Sequence, residues 1–409
     1  MPIRGSIDRI DEQFLEGWAV DDDHPTAKLA FDVLVNDRVI GRFIADSFRQ
    51  DLKDADIGGG ECAFSFAMPP FFGKQDLANL RLRFADSNLF IVLPTPRPAE
   101  AAVAPTTSRF GGLWLDRADW MDRLSAKHRA GKLSDAMAVR LFQFARDGYT
   151  VFEKAVGTRL IERLKGELDQ FWLNPPEGLL IETFEPDGAM RYLPPDARWR
   201  HGRTKLLDIF AHSELARQVA AAPPVVEFLS TLFEDAPKAF QSLNFHNGTE
   251  APMHKDTAYV KVDGNPLALA ASWTALEDVE AGTGELEYFI GSHRAPDFLF
   301  GGISKWMENH AEDNPAFLES LHRDAETYGH NRGKFLARRG DVLVWHADLA
   351  HGDAPVTRVD RSRQSLVTHF CPSGLEPFYR RTSQHATLTE HGCSFVSQYS
   401  PVGGNGRIG

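Results

Sequence analysis

Residues 94–108, PTPRPAEAAVAPTTS, hold four prolines and, beyond Val103, no large aliphatic or aromatic side chain. Proline removes backbone donors and alanine offers little to bury, so such a stretch connects folded parts and cannot form one. It divides a chain of 409 residues, which is already longer than one ordinary domain. The expected organisation is a small module over 1–93, a Pro/Ala-rich linker over 94–108 and a larger domain over 109–409. In the first part, KLAFDVLV and RVIGRFIA flank Asn36–Asp37, a dipeptide suited to a tight hairpin turn, while CAFSFAMP and NLRLRF alternate with period two. Residues 1–93 are therefore expected to form a small β-sandwich.

Beyond the linker the texture is first helical. Met137, Leu141 and Phe144 recur at helical spacing in SDAMAVRLFQFARDGY, and GTRLIERLKGELDQFW repeats the pattern. From about residue 239 short β-type runs take over: FQSLNFHN, AYVKV, LALAASWTAL, GELEYFI, DVLVWHA and RQSLVTHF. The fold class expected is mainly β with helices. Its larger domain is a double-stranded β-helix, jelly-roll or cupin-like, with a helical lead-in, a helical insertion near 302–329 and a C-terminal tail.

Composition narrows the partners. Hydrophobic residues at 43% and charged residues at 25% provide for a core and exclude a disordered chain. A formal charge of −12 disfavours nucleic acid and anionic membrane as main partners. No stretch approaches the ~18 apolar residues of a membrane span. Cys62, Cys371 and Cys393 are too few and too scattered for a disulfide framework. The expectation is a cytoplasmic protein acting on a small molecule.

Four His-x-Asp triplets occur, at His254/Asp256, His322/Asp324, His346/Asp348 and His351/Asp353, where composition alone predicts about one. Only the first precedes a strand-like run, AYVKV, and in an extended chain positions i and i+2 share a face. His254 and Asp256 can then reach one metal ion. A third ligand is expected from GDVLVWHADLAHG, which offers His346 and His351; His351 shares parity with Leu343 and Trp345, with a turn between. Two imidazoles and one carboxylate with open positions suit non-haem Fe(II). In RSRQSLVTHF, Arg363 and Ser365 share a strand face and suit a distal carboxylate, with Arg361 the competing cation.

These motifs together, FARDGYTVFEKAV, HKDTAY, WTALEDVEAGTGELEYFIGSHR, GDVLVWHADLAHG and the Arg363 strand, resemble the phytanoyl-CoA dioxygenase family of Fe(II)/2-oxoglutarate oxygenases over about 134–372. The resemblance implies that His254, Asp256 and His351 hold iron, that Arg363 and Ser365 bind 2-oxoglutarate, and that Trp273 and Lys205 line the cosubstrate site. O₂ is the second cosubstrate. Relatives that halogenate carry a small residue in place of the metal-binding carboxylate. Asp256 fills that position, so hydroxylation is the implied outcome. One departure is Asp353, two residues after the distal histidine, where a small hydroxyl residue would be the better neighbour for a carboxylate. Tyr259 and the tail residues Tyr379, Arg380, Arg381 and His385 are candidate substrate contacts.

GSIDRIDEQFLEGWAVD, with ADSFRQDL and GECAFSFAMP, resembles a β-rich module attached to bacterial glycosyltransferases. That likeness implies a bacterial source and a sugar or glycoconjugate substrate. It also leaves room for a homo-oligomer or partners in glycan synthesis. Phe14 and Trp18 suit sugar stacking, or a core. Two other functions stay open: a cupin-like metal protein without oxygenase activity, such as an isomerase or sugar-binding protein, and an acyl-CoA hydroxylase.

Overall fold

The computed structural model describes residues 3–35, 38–69, 72–73, 76–77, 80–85, 90–91, 108, 110–184, 189–377 and 388–399. The chain partitions into two compact units, Met1–Ala104 with Asp119–Phe142, and Pro105–Ala118 with Gln143–Gly409.

The first unit contains β1 (Ile3–Ile10), β2 (Phe14–Asp21), β3 (Leu29–Val35), β4 (Arg38–Ala45), a short α1 (Gln50–Asp54), β5 (Ala63–Ala67), β6 (Leu80–Phe84) and β7 (Phe90–Ile91). Two sheets result, in the orders β1-β2-β5 and β4-β3-β6-β7. Alternation turns Leu15, Phe31, Val33, Phe43, Phe64, Phe66 and Leu82 into a common core, with the Phe43 and Phe64 rings stacked at 4.4 Å. This is the expected sandwich. β3 and β4 pair with Val35 opposite Arg38; the Asn36–Asp37 turn itself lies outside the described residues. Trp18 is half-buried against Val20, Leu52 and Ala63, and Phe14 lies beneath the Arg9 guanidinium at 4.5 Å.

The remaining helices are α2 (Trp120–Arg129), α3 (Asp135–Asp147), α4 (Thr158–Leu173), α5 (Glu214–Ala220), α6 (Pro223–Phe233) and α7 (Asn314–Tyr328). α4 buries Ile161, Leu164, Leu168, Phe171 and Trp172, one face at the 3.6-residue period. Ser213 caps α5 by accepting from the Ala216 amide at 2.9 Å. The expected insertion is narrower than 302–329: its helix starts at Asn314, with Pro315 in the first turn, and ends at Gly329, which takes the left-handed conformation at φ 68°.

The larger sheet is built from β8 (Tyr149–Phe152), β9 (Leu180–Phe184), β10 (Met190–Leu193), β11 (Lys205–Leu207), β12 (Pro237–Phe245), β13 (Ala270–Ala275), β16 (Val342–His346) and β18 (Ser365–Pro372), in the order β10-β9-β11-β12-β18-β13-β16-β8. β19 (Leu388–Glu390) and β20 (Cys393–Phe395) join it beside β12. A smaller sheet, β15-β14-β17, comprises β14 (Leu286–Phe289), β15 (Arg332–Phe335) and β17 (His351–Asp353). Trp273, Leu343, Trp345 and Val367 from the large sheet meet Leu286, Tyr288 and Phe335 from the small one in a single core. Two sheets closed on one core are the jelly-roll expected from the β-type runs. No described helix is long and apolar enough to cross a membrane, and all three cysteines are free and buried.

Candidate metal centre

The segment AYVKV is not a strand. Asp256 opens a 3-10 turn over Asp256–Ala258, and its carbonyl accepts from the amides of Tyr259 and Val260, so the local donors are consumed before a ladder can form. The extended stretch ends at Lys255, and this still lets His254 and Asp256 converge. His254 is fixed by exchanging both backbone hydrogen bonds with His351, at 2.8 and 2.9 Å. The two rings lie 4.4 Å apart between centroids.

The distal ligand arrives by a change of sheet. β16 ends at His346, a turn closes with the Leu349 amide donating to the His346 carbonyl at 2.8 Å, and β17 opens on His351 in the other sheet. Leu343 and Trp345 face the inner core, so period two turns His346 to the other face. There its Nε2 lies 3.2 Å from Asp116 and its Nδ1 accepts from the Asp348 amide. Asp348 in turn accepts from Thr257 at 2.6 Å and pairs with buried Lys305. The His346/Asp348 triplet thus braces the two loops that carry the site. His322 and Asp324 lie on α7, His322 exposed and Asp324 half-buried, and neither is among the residues that line the site.

His254, Asp256 and His351 bring one ligand atom each to within 4.8 Å of one another. His254 Nδ1 hydrogen-bonds the Pro252 carbonyl at 2.8 Å and His351 Nδ1 the Leu349 carbonyl at 2.9 Å. Both protons are therefore placed on Nδ1, and both Nε2 lone pairs are left for a metal. Burial, then the neighbouring His351, pushes the His254 pKa down to about 4, so the ring is neutral near pH 7. Burial pushes the Asp256 carboxyl up, but His369 and His351 outweigh it and hold the group well below the usual carboxylate range. Trp345 Nε1 donates to Asp256 Oδ2 at 2.8 Å, and His369 Nε2 lies 3.4 Å from Oδ1. Two imidazoles whose tautomers leave Nε2 for a metal and one ionised carboxylate, with one side open to a cavity, fit a divalent iron ion.

That cavity, of about 80 Å³, also exposes Trp273, Asp353, Arg363 and His369. Arg363 is 1% exposed and donates from Nη1 to Ser365 Oγ at 2.8 Å; its guanidinium lies over the Trp273 ring at 5.4 Å. Its Nε has no hydrogen-bond partner, which is donor capacity beside the metal ligands and fits a bound carboxylate. Arg361 lies outside, more than half exposed, beside Asp360. Lys205 is not brought to the cavity. It is one strand out from Phe245 on the same row, and its ammonium pairs with Glu182 at 2.7 Å. Tyr259 is 40% exposed and is not among the residues that line the cavity; its ring lies 5.7 Å from that of His254 and its hydroxyl donates to Asn314 at 2.8 Å. Tyr379, Arg380, Arg381 and His385 lie outside the described residues.

Sequence reasoning missed His369 and the hydrogen-bonding part of Trp345. The signal for both was strand parity: 365, 367 and 369 share a face on β18, as 343 and 345 do on β16.

Residues 144–363 match the family model described as phytanoyl-CoA dioxygenase (PhyH), more than half of the chain. No curated protein matches. Several solved structures are similar at low identity. They include the epimerase SnoN from nogalamycin biosynthesis, in complex with Fe3+, alpha-ketoglutarate and nogalamycin RO (16% identity, 66% of this chain and 96% of that one, TM-score 0.46). The alpha-ketoglutarate-dependent carbocyclase SnoK from the same biosynthesis also matches (16%, 61% and 87%, 0.44), as does EctD from S. alaskensis with bound Fe (19%, 56% and 75%, 0.42).

Proposed function

Because the chain belongs to the phytanoyl-CoA dioxygenase family, we propose that it is an Fe(II)- and 2-oxoglutarate-dependent oxygenase that hydroxylates a small molecule. The observation that carries this reading is the convergence of His254, Asp256 and His351 in one cavity with the buried Arg363. Iron held by the three side chains supplies, with 2-oxoglutarate and O₂, an oxidant for a substrate C–H bond while succinate and CO₂ are formed.

The chain's own residues do the positioning. The Pro252 and Leu349 carbonyls hold the two imidazole tautomers, and Trp345 fixes the rotation of the Asp256 carboxylate. Arg363 and Ser365 orient the far end of the cosubstrate by charge-assisted hydrogen bonds. Leu243, Phe245, Leu286 and Val367 line the cavity and keep water from the reacting centre.

The substrate class we favour is a sugar or glycan-linked molecule. Support comes from the likeness of the N-terminal module to those of glycosyltransferases, and from charge. Of the arginines that could receive a polyanionic coenzyme A head group, Arg200 pairs with Asp169, Arg203 with Glu250 and Arg198 with Asp196. A second reading, a metal-binding barrel that uses no oxo acid, draws on one observation: Arg363 already faces a carboxylate, that of Asp353, at 3.0 Å.

The test is iron binding together with the slow, substrate-free conversion of 2-oxoglutarate to succinate. One Fe(II) per chain and measurable succinate are expected, with both lost in His254→Ala, Asp256→Ala and His351→Ala while His346→Ala keeps its iron. Retention of full activity by all three, or loss of iron in His346→Ala alone, overturns the ligand set.

A further inference from the structure

The cavity that gathers His254, Asp256 and His351 contains a second carboxylate. Asp353 follows His351 by two residues on β17, so strand periodicity brings it to the same face. Its side chain is 9% exposed. One oxygen, Oδ2, accepts from the Thr249 hydroxyl at 2.7 Å and the Thr249 amide at 3.0 Å, with the Ala251 amide at 3.4 Å. The other, Oδ1, lies 3.0 Å from Arg363 Nη2. This is an ion pair rather than an aligned hydrogen bond, since neither Nη2 nor Nε of Arg363 has a hydrogen-bond partner.

A pair buried only to hold the fold would be expected to satisfy both groups. Here the carboxylate is anchored on one side, while the guanidinium keeps two unused donors in a cavity walled by Phe245 and Trp273. A carboxylate arriving at Arg363 therefore meets a cation already neutralised by a fixed anion, and like charges at close range in a poorly solvated site repel strongly.

We propose that Asp353 sets the affinity and selectivity of this site for its oxo acid: by presenting its own carboxylate to Arg363 it weakens the hold on dicarboxylic 2-oxoglutarate. It also narrows the advantage of 2-oxoglutarate over 2-oxopentanoate, which has the same chain length and no distal carboxylate. The inference rests on the oxygenase reading, and it makes Asp353 a selectivity residue rather than a group that touches the reacting atoms.

The experiment is anaerobic calorimetry of the full-length, Fe(II)-loaded protein and its Asp353→Asn and Asp353→Ser variants with each oxo acid. Both substitutions keep an oxygen that can accept from Thr249 and remove the charge. The 2-oxoglutarate Kd is expected to fall by about tenfold or more, equivalent to ~1.4 kcal/mol, with a much smaller change for 2-oxopentanoate, so the ratio of the two widens. Thermal unfolding gives a second readout. The variants leave Arg363 uncompensated and should melt below the parent when free of oxo acid, then gain more from added 2-oxoglutarate than the parent does. Variants that bind 2-oxoglutarate no more tightly than the parent, or that no longer hold Fe(II), overturn the inference and make Asp353 architectural. If the parent and both variants bind neither oxo acid, the cosubstrate reading falls with it.

Discussion

Two backbone carbonyls decide which nitrogen of each histidine remains for a metal. Pro252 and Leu349 each lie two residues before the imidazole they orient, at 2.8 and 2.9 Å, so the same local geometry is used twice on two different elements. The His254–Lys255–Asp256 motif is visible in the sequence because its spacing alone puts two donors on one side. The choice between His346 and His351 was less visible, since it depends on a turn that moves the chain from one sheet to the other, and parity cannot be carried across a turn. Arg363 was legible from its spacing to Ser365. The pairing of Arg363 with Asp353 was not, since Arg363 lies in the stretch leading into β18, outside the strand itself, and nothing local reveals which group of β17 it meets across the cavity. Replacing Arg363 with alanine should raise the 2-oxoglutarate Kd by roughly ten- to a hundredfold, since a hydrogen bond to a charged group contributes about 1.5–3 kcal/mol. Iron affinity should change far less. Titration by calorimetry checks this, and an unchanged Kd, or a larger effect from Arg361→Ala, would move the carboxylate anchor elsewhere.

At the level of elements, the strands were legible wherever both faces are constrained, as on β13, β16 and β18, because buried β-type runs have few other structures open to them. AYVKV misled because its composition is that of a strand, while its backbone donors are taken by the Asp256 turn. Close approach is the other hidden constraint. A Cβ on Gly352 would lie 2.8 Å from the Ala251 carbonyl oxygen and 2.9 Å from the Met253 nitrogen, both backbone atoms of the segment that carries His254. Gly352→Ala should therefore push β17 away from the extended segment that carries His254 and weaken Fe(II) binding by roughly tenfold or more; equal metal titration curves would show that the two segments can yield.

Asp208 ties three pieces together. It accepts from the Ser242 amide on β12 and from the Ser397 hydroxyl, both at 2.7 Å. Burial pushes its carboxyl up to about 7 from an ordinary 3.8, against the pull of those donors. An acid whose pKa is raised by folding binds more protons folded than unfolded, so its stabilisation is whole below pH ~4, falls as pH rises toward 7 and is gone above it. The shift corresponds to at most about 4 kcal/mol. Asp208→Asn should thus gain stability relative to the parent steadily between pH 4 and 7. Urea midpoints measured across that range check it, and parallel curves for the two proteins would remove Asp208 from the account.

For the whole molecule, charge and modularity bear on what the oxygenase acts upon. The chain carries 57 acidic against 45 basic residues, and basic side chains near residues 198–203 are met by Asp169, Asp196 and Glu250. A coenzyme A thioester brings several negative charges and would meet basic side chains whose positive field the facing carboxylates already offset. A sugar brings hydroxyl groups and apolar ring faces, which need no net positive surface. Tyr259, half-exposed beside His254, offers an aromatic face and a hydroxyl of the kind that binds such ligands. Succinate release should therefore rise most with an uncharged oligosaccharide, less with a nucleotide sugar, whose phosphates are themselves anionic, and stay near its uncoupled level with acyl-CoAs. Tyr259→Ala should raise the KM for the coupled glycan while leaving the substrate-free rate and the iron content unchanged. A panel of the three substrate classes, with succinate measured for each, separates the outcomes: strong coupling to an acyl-CoA and none to any glycan would overturn the sugar assignment and leave the iron centre as it stands.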